Sequence, residues 1–141
     1  MHAITHGVDD ANSHTDTLAG PAGAAALAEG LGGNEALKIL DISGFNMIQD
    51  EGAISVASAL KDNTVLSELW IGDNDIGDAG AIAIADMLAV NTAVSALHML
   101  GNQIGDEGGL ALKAAIDSST VLHTMELEVE HKANSTHLDE L

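Results

Sequence analysis

The chain has 141 residues, with four Lys, no Arg and 22 Asp and Glu, for a net charge of −18. Such a balance repels phosphate backbones and anionic membrane surfaces, which sets nucleic acid and lipid headgroups aside as partners and favours basic segments or cations. Cysteine is absent and aromatic residues make up 1%, so disulfides, thiolate metal sites and cysteine nucleophiles are excluded and the core must be built from Ala and aliphatic side chains.

Met1 to Ala19 mixes Asp, His, Ser and Thr with no apolar period and reads as a flexible lead-in over 1–19. It lacks a charged start followed by an apolar stretch, so it does not read as a signal peptide. No later apolar run approaches the ~20 residues of a membrane span. The terminal His137-Leu-Asp-Glu-Leu141 resembles an ER-retention address, which is not read without a signal peptide. A cytoplasmic protein is the expectation.

From residue 20 the chain repeats itself, over 20–50, 51–78, 79–106 and 107–130, followed by a tail at 131–141. Self-similarity at a period of 28 is the mark of a solenoid. Each copy opens with apolar residues at helical spacing: Ala24, Leu27, Ala28 and Leu31, then Ala53, Val56, Ala57 and Leu60, then Ala81, Ile84, Ala85 and Leu88. Each closes with a strand pattern: Leu66, Leu69 and Ile71 match Val94, Leu97 and Met99, then Leu122, Met125 and Leu127. Helix-then-strand units this short can only bring their strands together in parallel, with the helices outside.

The joints carry fixed residues. Asp50, Asp78 and Asp106 each stand before a helix with Gly two places later, where a carboxylate can accept the free amide hydrogens of the helix's first turn. Asn74 and Asn102 follow the strands, where a buried amide can satisfy backbone groups as the chain leaves the sheet. These five are expected to be structural.

The phrases Leu69-Trp-Ile-Gly-Asp-Asn-Asp-Ile-Gly-Asp78 and Leu97-His-Met-Leu-Gly-Asn-Gln-Ile-Gly-Asp106 resemble the leucine-rich repeat signature L-x-L-x-x-N-x-I-G-D. With the Gly-Ala-rich helices and the Asn-Thr before the strand at Asn63 and Asn91, they are similar to the ribonuclease-inhibitor subfamily, which includes repeat regions of NOD-like receptors and Ran GTPase-activating proteins. The resemblance implies an α/β horseshoe, with a parallel sheet on the concave side, helices on the convex side, and protein recognition as its use. Two copies depart from the pattern. In Leu40-Asp-Ile-Ser-Gly-Phe-Asn-Met-Ile48 an extra residue puts Phe45 in the Asn slot and displaces Asn46, which predicts a bulged loop. The fourth copy has Glu in place of Asn and Lys113 where its neighbours have Ala57 and Ala85, as suits an end repeat. No capping unit precedes the first copy, so either the lead-in covers its open end, or another chain does, or the chain is a piece of a longer protein.

If Leu69 and Ile71 point inward, alternation turns Trp70 outward onto the concave sheet. The same register makes one stripe of Asp41, Trp70, His98 and Glu126, flanked by Ile39, Glu68, Ala96 and Thr124 on one side and by Ser43, Gly72, Leu100 and Glu128 on the other. Tryptophan is enriched at interface hot spots. Asp41, Trp70, His98, Glu126, Glu68, Leu100 and Glu128 are therefore the candidate binding residues, with His98 and Glu126 close enough to pair across neighbouring strands. The acidic end of the stripe predicts a protein partner that offers a basic segment.

Catalytic and metal chemistries find little support. Asp73 to Asp78 fails the calcium-loop pattern, because its sixth and twelfth positions are Asp78 and Ile84 rather than Gly and Glu. The lead-in's His2, His6 and His14 match no known ligand spacing. Phosphate-loop motifs are missing, and without arginine no arginine finger can be supplied, which weakens a GTPase-activator reading. The expectation is a non-enzyme with no cofactor and no metal. A structural module of a larger receptor or scaffold is the competing reading, and self-association through open solenoid ends is left open beside it.

Overall fold

The computed structural model describes residues 4–5 and 20–130. The rest of the lead-in, with His2, His6 and His14, and the tail 131–141 with its terminal His137–Leu141 lie outside the described residues. The elements run β1 (Ile4–Thr5), α1 (Gly20–Leu31), β2 (Ile39–Asp41), α2 (Gln49–Leu60), β3 (Glu68–Trp70), α3 (Asp78–Val90), β4 (Ala96–His98), α4 (Asp106–Ser118) and β5 (Thr124–Glu126). All strands pair in parallel and in sequence order, one sheet of five. The four helices pack side by side, α1 on α2, α2 on α3 and α3 on α4. The expected α/β arc of stacked helix–strand units is the observed fold. Among the described residues no helix is long and apolar enough to cross a membrane.

Each of β2, β3 and β4 has three residues, and the central one faces the core. Leu40, Leu69 and Leu97 are fully buried, with less buried residues on either side of each. Ile42, Ile71 and Met99 complete the inward set. The helices return Val56, Leu60, Ile84 and Leu88 to the same core. Burial of such side chains contributes roughly 1.5–3 kcal/mol each. With few aromatics to fill gaps, the layers must come close, and small residues permit it. A Cβ on Gly80 would lie 2.7 Å from Ile76 Cγ2 and 3.0 Å from Ala53 Cβ, and Gly108 is equally confined, 2.8 Å from Ala81 Cβ.

The aspartates act across repeats rather than on their own helices. Asp50 Oδ1 accepts from the backbone N–H groups of Gly77 and Gly80, at 2.8 and 2.9 Å, at the start of α3. Asp78 Oδ1 does the same for Gly105 and Gly108 at the start of α4. The caps just before α3 and α4 are Gly77 and Gly105, neither of which makes a side-chain cap bond. The expectation of self-capping is corrected accordingly: each carboxylate leads its own helix but satisfies the free donors of the next. Asp106 holds the matching place at the head of α4, and among the described residues no further helix follows it.

Buried asparagines form a second set of cross-repeat ties. Asn102 Oδ1 accepts from Asn74 N (2.9 Å) and Ile76 N (3.0 Å), while its amide donates to Ile71 O and Met99 O. Asn74 Oδ1 accepts from Asn46 N, and its amide donates to Ile42 O and Gly72 O. Asn46 is itself buried and donates to Ile42 O and Ser43 O. This overturns one expectation. Asn46 keeps its place in the ladder, and the extra residue is taken up between Ile42 and Asn46, where Gly44 (φ 101°) and Phe45 (φ 62°) are left-handed. The bulge is real, but Phe45 is pushed out, 79% exposed, instead of filling the Asn slot.

A parallel ladder joins the helix ends to the strands. Asn63 donates to Leu31 O and Asn34 O, and Asn91 to Leu60 O and Asn63 O. Each also caps the two amides that follow it at positions +2 and +3. In the last copy Ser119 takes over that capping with its hydroxyl. The fourth repeat has the open character expected of an end copy: Lys113 is exposed and paired with Asp117, and Met125 and Leu127 are only partly buried.

Candidate functional site

The sheet register aligns Asp41 with Trp70, Trp70 with His98, and His98 with Glu126. Backbone bonds lock the alignment, with Ile42 N donating to Trp70 O, Ile71 N to His98 O and Met99 N to Glu126 O. Strand alternation then leaves the four side chains on the face away from the core, in the column the sequence predicts.

Within that column the side chains organise one another. The rings of Trp70 and His98 stack, with centroids 3.7 Å apart and planes 17° from parallel. The indole N–H donates to Glu68 Oε2 at 2.8 Å. His98 Nδ1 lies 2.7 Å from Glu126 Oε2, and its Nε2 lies 3.9 Å from Glu68 Oε2. The two rings are thus bracketed by two carboxylates, and the predicted His98–Glu126 pair forms. Stacked aromatic pairs contribute about 0.5–1.5 kcal/mol beyond their burial, so the arrangement is held before any partner arrives. Asp41 is turned aside, its Oδ1 accepting from Ser43 N and Oγ.

Leu100 and Glu128 close the other flank. Leu100 is exposed, and Glu128 Oε2 accepts weakly from Gly101 N at 3.4 Å. Beside Leu100 and the aromatic pair lies a hollow of about 200 Å³, lined by Ser43, Trp70, Gly72, Asp73, His98, Leu100 and Glu126. Gly72 forms part of its lining. A Cβ there would meet Leu100 O at 2.7 Å, so close strand packing keeps the position bare.

Asp73 on the hollow was not among the predicted residues, nor were Phe45 and Met47, exposed on the adjoining loop. The signal was hidden by the inserted residue of the first copy. Phe45, Asp73 and Gly101 occupy one repeat position, just before the ladder asparagine, and all three are left-handed. A position that demands Gly or Asp in two copies carries an aromatic residue in the third. Among the described residues no group of His, Cys, Asp and Glu is placed to hold a metal ion.

A family model described as Leucine Rich repeat matches residues 33–57, 62–85 and 90–113, more than half of the chain. The chain belongs to the leucine-rich repeat family. Among solved structures, this leucine-rich repeat arc is similar to leiomodin-1 actin-binding site 2, with a TM-score of 0.69 at 22% sequence identity, over 83% of this chain and 68% of that one. At that identity the likeness is one of fold. No curated protein matches the chain in sequence. Leucine-rich repeats are typically non-catalytic, and they generally mediate protein–protein interaction.

Proposed function

We propose that this chain is a non-catalytic protein-interaction module that receives a basic segment of its partner on the concave stripe Asp41–Trp70–His98–Glu126. The observation that carries the reading is the stacked Trp70–His98 pair, held between Glu68 and Glu126 on the solvent side of the sheet. An aromatic platform ringed by carboxylates is suited to a cationic side chain, and the charge of −18 speeds the encounter with one. Membership of a family that recognises proteins supports the class of partner. Likeness to an actin-binding site supports protein recognition as a use of this fold, without pointing to actin as the partner here. The 28-residue helix–strand period supports the ribonuclease-inhibitor subtype.

The test is capture of partners from the native cell extract by the full chain and by Trp70→Ala. The expected result is a protein retained by the first and lost by the second, with both melting cooperatively and the variant only a few degrees lower. A partner held equally by both would remove the concave face from the mechanism.

A further inference from the structure

The hollow over Gly72 asks for a particular occupant. It is open on the concave side, and its floor is bare backbone at Gly72. One wall is aromatic, formed by Trp70 and His98, and the exposed Leu100 forms another. Two carboxylates, Asp73 and the half-exposed Glu126, stand at its margin, with Glu68 behind the rings. No lysine lines it. An occupant must therefore combine an apolar stem, a positive charge and a shape that lies against planar rings.

We propose that this hollow is a pocket for one arginine side chain of the partner's basic segment, a reading that rests on the concave face being the binding surface. Arginine satisfies each wall in turn. Its methylene stem packs on Leu100. Its planar guanidinium is weakly hydrated, lies well against aromatic rings, and can give paired N–H donors to a carboxylate such as Asp73 or Glu126. The lysine ammonium, compact and strongly hydrated, meets the charge requirement but gains less from the rings and cannot form the fork. The hollow, about 200 Å³, has room for one long side chain.

Two labelled peptides of equal length and charge, one with arginine and one with lysine as its only basic residue type, separate the possibilities by fluorescence anisotropy with the full chain. The arginine peptide should bind at least about fivefold more tightly. Raising the salt should weaken both alike and leave that ratio standing, since screening acts on charge and not on shape. Trp70→Leu should bring the ratio close to one, and Leu100→Gln, chosen because it alters only an exposed wall, should reduce it. Equal affinity for the two peptides, no binding of either, or a ratio unchanged in both variants would overturn the pocket. If partner capture depends on Trp70 while the peptides are bound equally, the concave-face reading stands and the arginine pocket falls. If capture is indifferent to Trp70, the concave-face reading falls with it.

Discussion

Asn102 shows how much a single polar side chain carries in this architecture. All four hydrogen-bonding positions used by its amide go to backbone groups in its own and the preceding repeat, and it is almost fully buried. Leaving a buried donor or acceptor unpaired costs about 1–3 kcal/mol. Asn102→Ala strands four such groups, some of which water can reach after relaxation, so we expect a loss of about 3 kcal/mol or more in urea unfolding. A loss below about 1 kcal/mol would mean the ladder is incidental. Both asparagines of the predicted pair were legible because they recur 28 residues apart after a strand. Asn46 was misread because one inserted residue shifts the count on the strand side while the ladder keeps its spacing from Asn74. The backbone absorbs the insertion at Gly44, with φ 101°, and leaves Phe45 in the left-handed conformation that Asp73 and Gly101 also take at this repeat position, which is costly for Phe and visible only in three dimensions.

At the scale of the helix, the Asp-x-Gly phrase at the head of α2 and of α3 is a coupling device. The carboxylate of one repeat enters the space left by the glycine of the next, 2.8 Å from where a Cβ on Gly80 or Gly108 would be, and accepts two amide hydrogens there. Each cap thus stabilises the interface between repeats along with the helix it serves. Asp78→Ala should cost about 1–2 kcal/mol. The loss should show as faster hydrogen exchange at Gly105, Gly108 and the first turn of α4, with α3 little changed. Loss of protection at the start of α3 instead would restore the self-capping reading. The residues and their spacing were plain in the sequence. Which helix each aspartate serves was not, because a carboxylate at that place is within reach of two helix starts.

At the scale of the molecule, an arc of parallel strands leaves two edges, and unpaired edges invite association. One is covered by the chain itself: Ile4 and Thr5 pair with Leu40 and Asp41, inside the stretch read from sequence as a lead-in. Removing residues 1–18 should expose the β2 edge. We expect the shortened chain to show a mass that rises with concentration in light scattering, while the full chain stays at the mass of one copy. Equal masses at all concentrations would show that β1 has no protective role. At the other end of the described residues Val129 lies against Gly109 and Glu130 N bonds to Ile104 O, so the backbone there continues the ladder pattern.

The repeat period alone was enough to establish the solenoid, the parallel sheet, the inward leucines and the column that holds Trp70, because each follows from counting residues along a chain with two local periodicities. Those quantities are one-dimensional. Which helix an aspartate caps, where an inserted residue is absorbed, and that a hollow lies beside two stacked rings depend on distances between residues about 28 apart in sequence. Only the packing of one repeat on the next sets those distances, so only the tertiary structure decided them.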